Sequence, residues 1–277
     1  KIVGTGFFPS EKKIIMTIIF IIIAIPVVLW LGLQVKPRAL PPYSATTPQL
    51  ETVALPEGLP APVERYYRES IGDQIPVIET AVLTGSVKLR FNGITFNSRF
   101  RFVHDAGKDY RHYIDATIFG YPLLRVNEHY LDGNSRLELP FGVVENEPKI
   151  NMAANLGLWA ESIWLPSIFI TDPRVHWQAI DDNSARLIVP FEDGEDEFIV
   201  TFDPQTGLLH EMQAMRYKDA KDEHKVSWHN VALEWKTFHG MLIPYVGSVA
   251  WLDEGSPWAT FTIEDVVYNV DVSEYVR

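Results

Sequence analysis

Hydrophobic positions fall into three patterns along the chain, and each predicts a different kind of element. The first is unbroken: Ile14 to Val35, IIMTIIFIIIAIPVVLWLGLQV, is 22 residues without a charge. As a helix rising 1.5 Å per residue it would be about 33 Å long, enough to cross the hydrocarbon core of a bilayer. Pro26 is compatible with a membrane helix, and Trp30 near the far end suits a membrane interface. Lys12 and Lys13 precede the segment, while Lys36, Arg38 and a large acidic region follow it. The positive-inside rule therefore predicts a single pass through a bacterial inner membrane, with residues 1–13 cytoplasmic, 14–35 in the membrane and the C-terminal domain extracytoplasmic.

The second pattern is strict alternation. Ala81, Leu83, Gly85, Val87, Leu89 and Phe91 alternate with Thr80, Val82, Thr84, Ser86, Lys88 and Arg90 before Asn92-Gly93 turns into Ile94, Phe96, Ser98, Phe100 and Phe102. A two-residue Asn-Gly turn pairs Phe91 with Ile94, which puts both apolar sets on one face of a hairpin. Lys88, Arg90, Arg99 and Arg101 then form a basic stripe on the other face, a partner-facing candidate in an otherwise acidic domain. Further strands are predicted at Tyr110 to Ile118, Leu123 to Leu131 and Asn134 to Leu139. The second half adds Val175 to Ile180, Ser184 to Val189, Glu197 to Phe202, Leu208 to Lys218, Val226 to Trp235, Met241 to Trp251 and Trp258 to Val270. Turn signals recur every 8 to 12 residues, so the reading is an antiparallel meander of about eleven strands.

The third pattern interrupts the strands. Lys149 to Ile170, KINMAANLGLWAESIWLPSIFI, has helical spacing, with Met152, Ala153, Leu156, Trp159, Ala160, Ile163 and Trp164 filling a broad apolar arc. A helix so apolar needs cover on most sides, which the mouth of a curved sheet supplies. The fold class expected is mainly β with some α: one N-terminal transmembrane helix, then a half-barrel sheet holding a central apolar helix. Residues 36–62 contain seven prolines and read as a semi-extended tether, leaving 63–277 as one β-rich domain that opens with the short helical stretch VERYYRESIG.

Composition narrows the chemistry. Beyond residue 36 the chain carries 20 basic and 35 acidic residues, so its surface repels nucleic acid. The absence of cysteine excludes disulfides, thiolate zinc, iron–sulfur clusters and a lipidated N-terminal cysteine. The eight histidines are scattered without an HExxH, and GxSxG, P-loop and GxGxxG signatures are lacking. No metal site, cofactor or catalytic set is expected on this reading. Glu161 stands out as a carboxylate between Trp159 and Trp164; such a group requires a partner, for which an arginine on the sheet is the simplest choice, or a raised pKa suited to moving protons.

Ala160-Glu161 with Trp164 and Pro166, followed by Trp177-Gln178-Ala179-Ile180-Asp181-Asp182-Asn183-Ser184-Ala185-Arg186, resembles a bacterial, membrane-anchored family of uncharacterised function. The resemblance covers most of residues 58 to 268, including Leu59-Pro60-Ala61-Pro62-Val63-Glu64-Arg65-Tyr66 and Gly240-Met241-Leu242-Ile243-Pro244. More loosely, Phe202-Asp203-Pro204-Gln205-Thr206-Gly207-Leu208 and the strand count look similar to the periplasmic lipoprotein-carrier superfamily. That likeness implies a half-open barrel closed by helices around a cavity for acyl chains.

Three functional expectations follow. The first is a non-enzymatic accessory subunit, anchored beside integral membrane subunits of a complex such as a respiratory or photosynthetic assembly, whose β domain braces the outer face. The second is a lipid or hydrophobic-ligand binding protein with Phe96, Phe100, Phe102, Trp159 and Trp164 lining the half-barrel. An enzyme of unknown class using Glu161 is the third.

Overall fold

The structure, a computed structural model, describes residues 11–91, 93–139 and 142–276. Most of the expected cytoplasmic segment, and Asn92 of the Asn-Gly turn, lie outside the described residues.

The uncharged run forms α1 (Glu11–Gln34), long and apolar enough to cross a membrane, with its side chains up to Leu31 largely uncovered by the rest of the chain. After it come β1 (Thr52–Ala54), α2 (Ala61–Ser70) and β2 (Gln74–Pro76), in which β1 and β2 form a small sheet of their own. The alternating segments then give β3 (Thr80–Phe91), β4 (Ile94–Asp105), β5 (Asp109–Ile118), β6 (Tyr121–Leu131), β7 (Asn134–Leu139) and β8 (Gly142–Glu145). The apolar interruption becomes α3 (Pro148–Glu161), a single 3-10 turn at Ser162–Trp164, and α4 (Ile168–Thr171). The strands resume as β9 (His176–Asp181), β10 (Ser184–Phe191), β11 (Gly194–Phe202), β12 (Leu209–Arg216), β13 (Val226–Phe238), β14 (Met241–Trp251) and β15 (Ala259–Tyr268), with α5 (Ser273–Val276) last.

Among the described residues the main sheet has thirteen antiparallel strands in the order β8-β7-β6-β5-β4-β3-β15-β14-β13-β12-β11-β10-β9, and it does not close. About eleven were expected; one addition is β8, four residues long and too short to show a period. The topology explains the position of α3. The chain meanders outward from β3 to one edge at β8, then must cross to the opposite edge at β9. It crosses over the concave face, where α3 buries nine of its fourteen residues.

The first hairpin has the predicted register, Phe91 opposite Ile94, so Phe100 and Phe102 face inward with Leu83 and Val87. These pack with Trp159, Trp164, Phe198, Phe261 and Tyr268 in one continuous core. α2 closes another side of it, burying Val63, Tyr66 and Tyr67 completely, and the Tyr67 hydroxyl donates to the Pro166 carbonyl at 2.6 Å.

The convex face is covered by the Pro-rich segment. Arg99 Nη1 donates to the Arg38 carbonyl at 3.0 Å and Arg101 Nη2 to that of Pro41 at 2.5 Å. Tyr43 and Ala45 pack on a second apolar cluster of Val82, Val103, Val267, Val270 and Val272. Closer to α1, the Phe119 amide donates to the Gly32 carbonyl at 2.7 Å, and the Arg38 amide to that of Gly120 at 3.2 Å. Gln34 Nε2 donates to the Thr95 carbonyl at 3.1 Å, and Asn97 Nδ2 to that of Gln34 at 2.6 Å. Gly32 lets α1 approach closely here: a Cβ there would lie 2.7 Å from the Phe119 ring and 2.9 Å from the Ile118 side chain, and both would have to shift. The segment read as a tether is therefore laid down on the domain, and the last turn of α1 is fastened to the β4 and β5 ends.

In a meander, the β3–β4, β5–β6 and β7–β8 connections share one end of the sheet, which is also where α1 arrives. That end exposes Phe91, Ile94, Phe119, Tyr121, Leu123, Leu124, Val143 and Val144. Opposite it lies the β4–β5 turn.

Candidate functional site

Hydrophobic alternation continues past Phe102 to His104, and the tight turn through Gly107 returns the chain as Tyr110 and His112. Pairing of Phe102 with His112 and His104 with Tyr110 puts all four side chains on the concave face. Gly107 has φ +68°, in the left-handed region that glycine favours, and a Cβ there would lie 3.1 Å from the Trp159 ring. Trp159 thus lies against the turn from inside, and two residues later the end of α3 brings Glu161 to the two histidines.

Glu161 Oε2 is 2.8 Å from His112 Nε2 and 3.3 Å from His104 Nε2. These are ion-pair distances, yet the atoms lie off one another's hydrogen-bond directions. All three are buried, and none has a hydrogen-bond partner among the described residues. His104 is 1% exposed and His112 4%. The His112 ring stacks on Phe102 and on Tyr110, with centroids 3.8 Å and 4.1 Å away, so its orientation is fixed. Behind it, Nδ1 faces Glu128 Oε2 at 3.8 Å, and the Tyr110 hydroxyl donates to the other oxygen of Glu128 at 2.7 Å. Arg216 interacts electrostatically with Glu128 and Glu161; it donates to the Ala153 carbonyl at 3.0 Å and lies 4.4 Å over the Trp228 ring.

Burial works against charge on His112, but Glu161, together with Glu128, outweighs it and pushes the ring up to about 9. Burial alone would raise the Glu161 carboxyl; His112 and His104 bring it down instead, to about 2. His104 goes the other way, lowered because burial exceeds what Glu161 returns. The cluster thus holds one charged pair and one neutral imidazole.

Glu161 was expected to face an arginine of the sheet; it faces two histidines instead, with Arg216 acting on it through space. Phe100, Phe102, Trp159 and Trp164 come together as expected, but they pack on one another and are at most 6% exposed, while Phe96 is half-buried nearer the α1 end. Of the basic stripe, Arg99 holds Asp115 at 2.8 Å as well as the Arg38 carbonyl. Arg90 reaches Glu254 at 3.1 Å and the Ser256 and Pro257 carbonyls. Lys88 is exposed. Sequence reading missed His104, His112, Tyr110, Glu128 and Arg216. Ending one strand at Phe102 and starting the next at Tyr110 hid the signal: continuing the alternation through the Gly107 turn places both histidines on one face.

Residues 48–263 match the profile of a family described as a family of unknown function, DUF6544. No curated protein matches the sequence. Among solved structures the chain is similar to a LolA superfamily protein from Nitrosomonas europaea, at 7% identity and a TM-score of 0.49, over 79% of this chain and 99% of that one. It is also similar to a DUF1329 family protein from Desulfovibrio piger, at 14% identity and a TM-score of 0.42, over 72% of this chain and 89% of that one.

Proposed function

We propose that this chain, which belongs to the DUF6544 family of unknown function, is a non-enzymatic accessory protein of the bacterial inner membrane. In this reading α1 crosses the bilayer from the cytoplasm, and the β domain is held against the outer face as a brace for integral membrane subunits. The observation that carries it is the fastening of α1 and residues 36–47 to the domain. Hydrogen bonds at Gly32, Gln34, Arg38 and Pro41 remove the freedom that a carrier's linker needs and a brace must lack.

The apolar loop tips support the same arrangement. They surround the point where α1 leaves the domain, so a helix crossing the bilayer brings Phe119, Tyr121, Leu123 and Leu124 to its surface. Aromatic and aliphatic side chains favour that interface. Because the chain has no cysteine, Leu123→Cys carries a single fluorophore. In vesicles a quencher attached to lipid tails is expected to reduce its emission severalfold, while the same label at Lys108→Cys, in the β4–β5 turn, is unaffected. Equal quenching at both sites would remove the bilayer from the tips.

The reading as a holder of a hydrophobic ligand requires the packed Phe100, Phe102, Trp159 and Trp164 to separate. Purification from native membranes in mild detergent, followed by mass spectrometry, decides between the two. A constant, stoichiometric set of integral membrane subunits supports the brace. A chain that runs alone with bound lipid overturns it in favour of the ligand holder.

A further inference from the structure

We propose that His104, His112 and Glu161 form a binding site for one divalent transition-metal ion of the zinc class. The proposal goes beyond the bracing role and does not depend on it.

Three donor atoms from three separate elements, β4, β5 and the end of α3, converge on one place and all lie within 4.8 Å of one another. Each is buried without a hydrogen bond among the described residues. A buried polar atom left unpartnered is costly, and three that share one point have a common remedy, a cation between them. In a tetrahedral zinc site, bonds of about 2.0–2.1 Å set neighbouring donors about 3.3 Å apart. The 2.8 Å and 3.3 Å separations from Glu161 Oε2 are close to that, and the two histidine nitrogens lie within 4.8 Å of each other, so coordination draws the two imidazoles together by at most about 1.5 Å.

The surroundings are those of a ligating imidazole. Coordination through Nε2 leaves the proton on Nδ1, and Glu128 faces Nδ1 of His112 with its own orientation set by Tyr110. Stacking on Phe102 and Tyr110 holds that ring with Nε2 beside Glu161. Two imidazoles and one carboxylate suit Zn²⁺, Co²⁺ or Fe²⁺ rather than Mg²⁺ or Ca²⁺, which take all-oxygen sets. Three protein donors leave one coordination position for water or a ligand group. The Glu161 side chain is 19% exposed, so the carboxylate side of the cluster lies nearest to solvent.

The competing explanation is a plain ion pair between His112 and Glu161. The full chain in detergent micelles, stripped with a chelator, separates them by titration with Zn²⁺ against a chromophoric chelator and with Co²⁺ by visible absorption. Binding of one equivalent is expected, with a Co²⁺ spectrum of four-coordinate character. Glu161→Gln and His104→Ala should each weaken it at least about 100-fold. Glu128→Gln, which leaves all three donors in place, should weaken it about 10–100-fold. That variant also decides the matter if the donor substitutions fail to fold. No stoichiometric uptake by the wild type, or affinity unchanged in these variants, overturns the proposal.

Discussion

Trp159→Ala is expected to lower stability by about 3–5 kcal/mol, at the top of the range for truncating a single core side chain. The indole is fully buried, and it joins the core inside the sheet to the Gly107 turn. Its removal leaves a void bounded by a strand turn that cannot collapse without disturbing the β4–β5 pairing. For a domain of this size the apparent Tm should fall by roughly 10 °C, read by the loss of near-ultraviolet circular dichroism on heating. Met215→Ala, at a half-exposed site, should change it by no more than about 0.5 kcal/mol and serves as the comparison. The effect has a functional side as well: α3 carries Glu161 two residues beyond Trp159, so a partly folded variant should also lose the alignment of Glu161 with His112.

Gly85→Ala ranks second, at about 3 kcal/mol, and it acts by crowding. A Cβ at Gly85 would be 2.1 Å from the Thr262 carbonyl oxygen and 3.0 Å from the Phe100 ring. The ring could rotate, but the oxygen belongs to β15, which pairs with β3 and has a register shift just beyond, between Ile263 and Asp265. Relief therefore requires two central strands to separate, and overpacking of that kind lies at the upper end of its usual cost. A substitution that keeps the wild-type midpoint in chemical denaturation would show that the two strands do not approach in this way.

The fold class is readable from period and turn chemistry. The first hairpin shows how completely: the alternation around residues 92 and 93 predicts the observed Phe91–Ile94 register and the sidedness of Phe100 and Arg101. The central helix is legible too, because a segment as apolar as residues 152–164 has to be covered. Less could be read from short or polar elements. Four-residue β8 has no resolvable period, and the Pro-rich stretch has the composition of a free linker. What fastens it is backbone carbonyls accepting from Arg99 and Arg101, and carbonyls have no signature in side-chain pattern. The basic stripe itself was legible, but the groups that meet Arg99 and Arg101 were not.

The candidate site was half legible for the same reason. Glu161 stands out because a carboxylate among tryptophans is locally anomalous. Its histidines do not, because each is acceptable in a strand taken alone, and only the turn at Gly107 makes them neighbours. Their shared face was implied by an extended alternation, but the arrival of α3 over that face depends on the crossing from one sheet edge to the other.

A brace requires α1 and the β domain to move as one body. Leu31→Cys on α1 and Glu223→Cys on an exposed loop, spin-labelled in the otherwise cysteine-free chain and reconstituted in lipid nanodiscs, give the distance between them by pulsed electron spin resonance. A docked anchor predicts a single narrow distribution. A broad one, spread over tens of ångströms as a free Pro-rich linker of this length would allow, would contradict it.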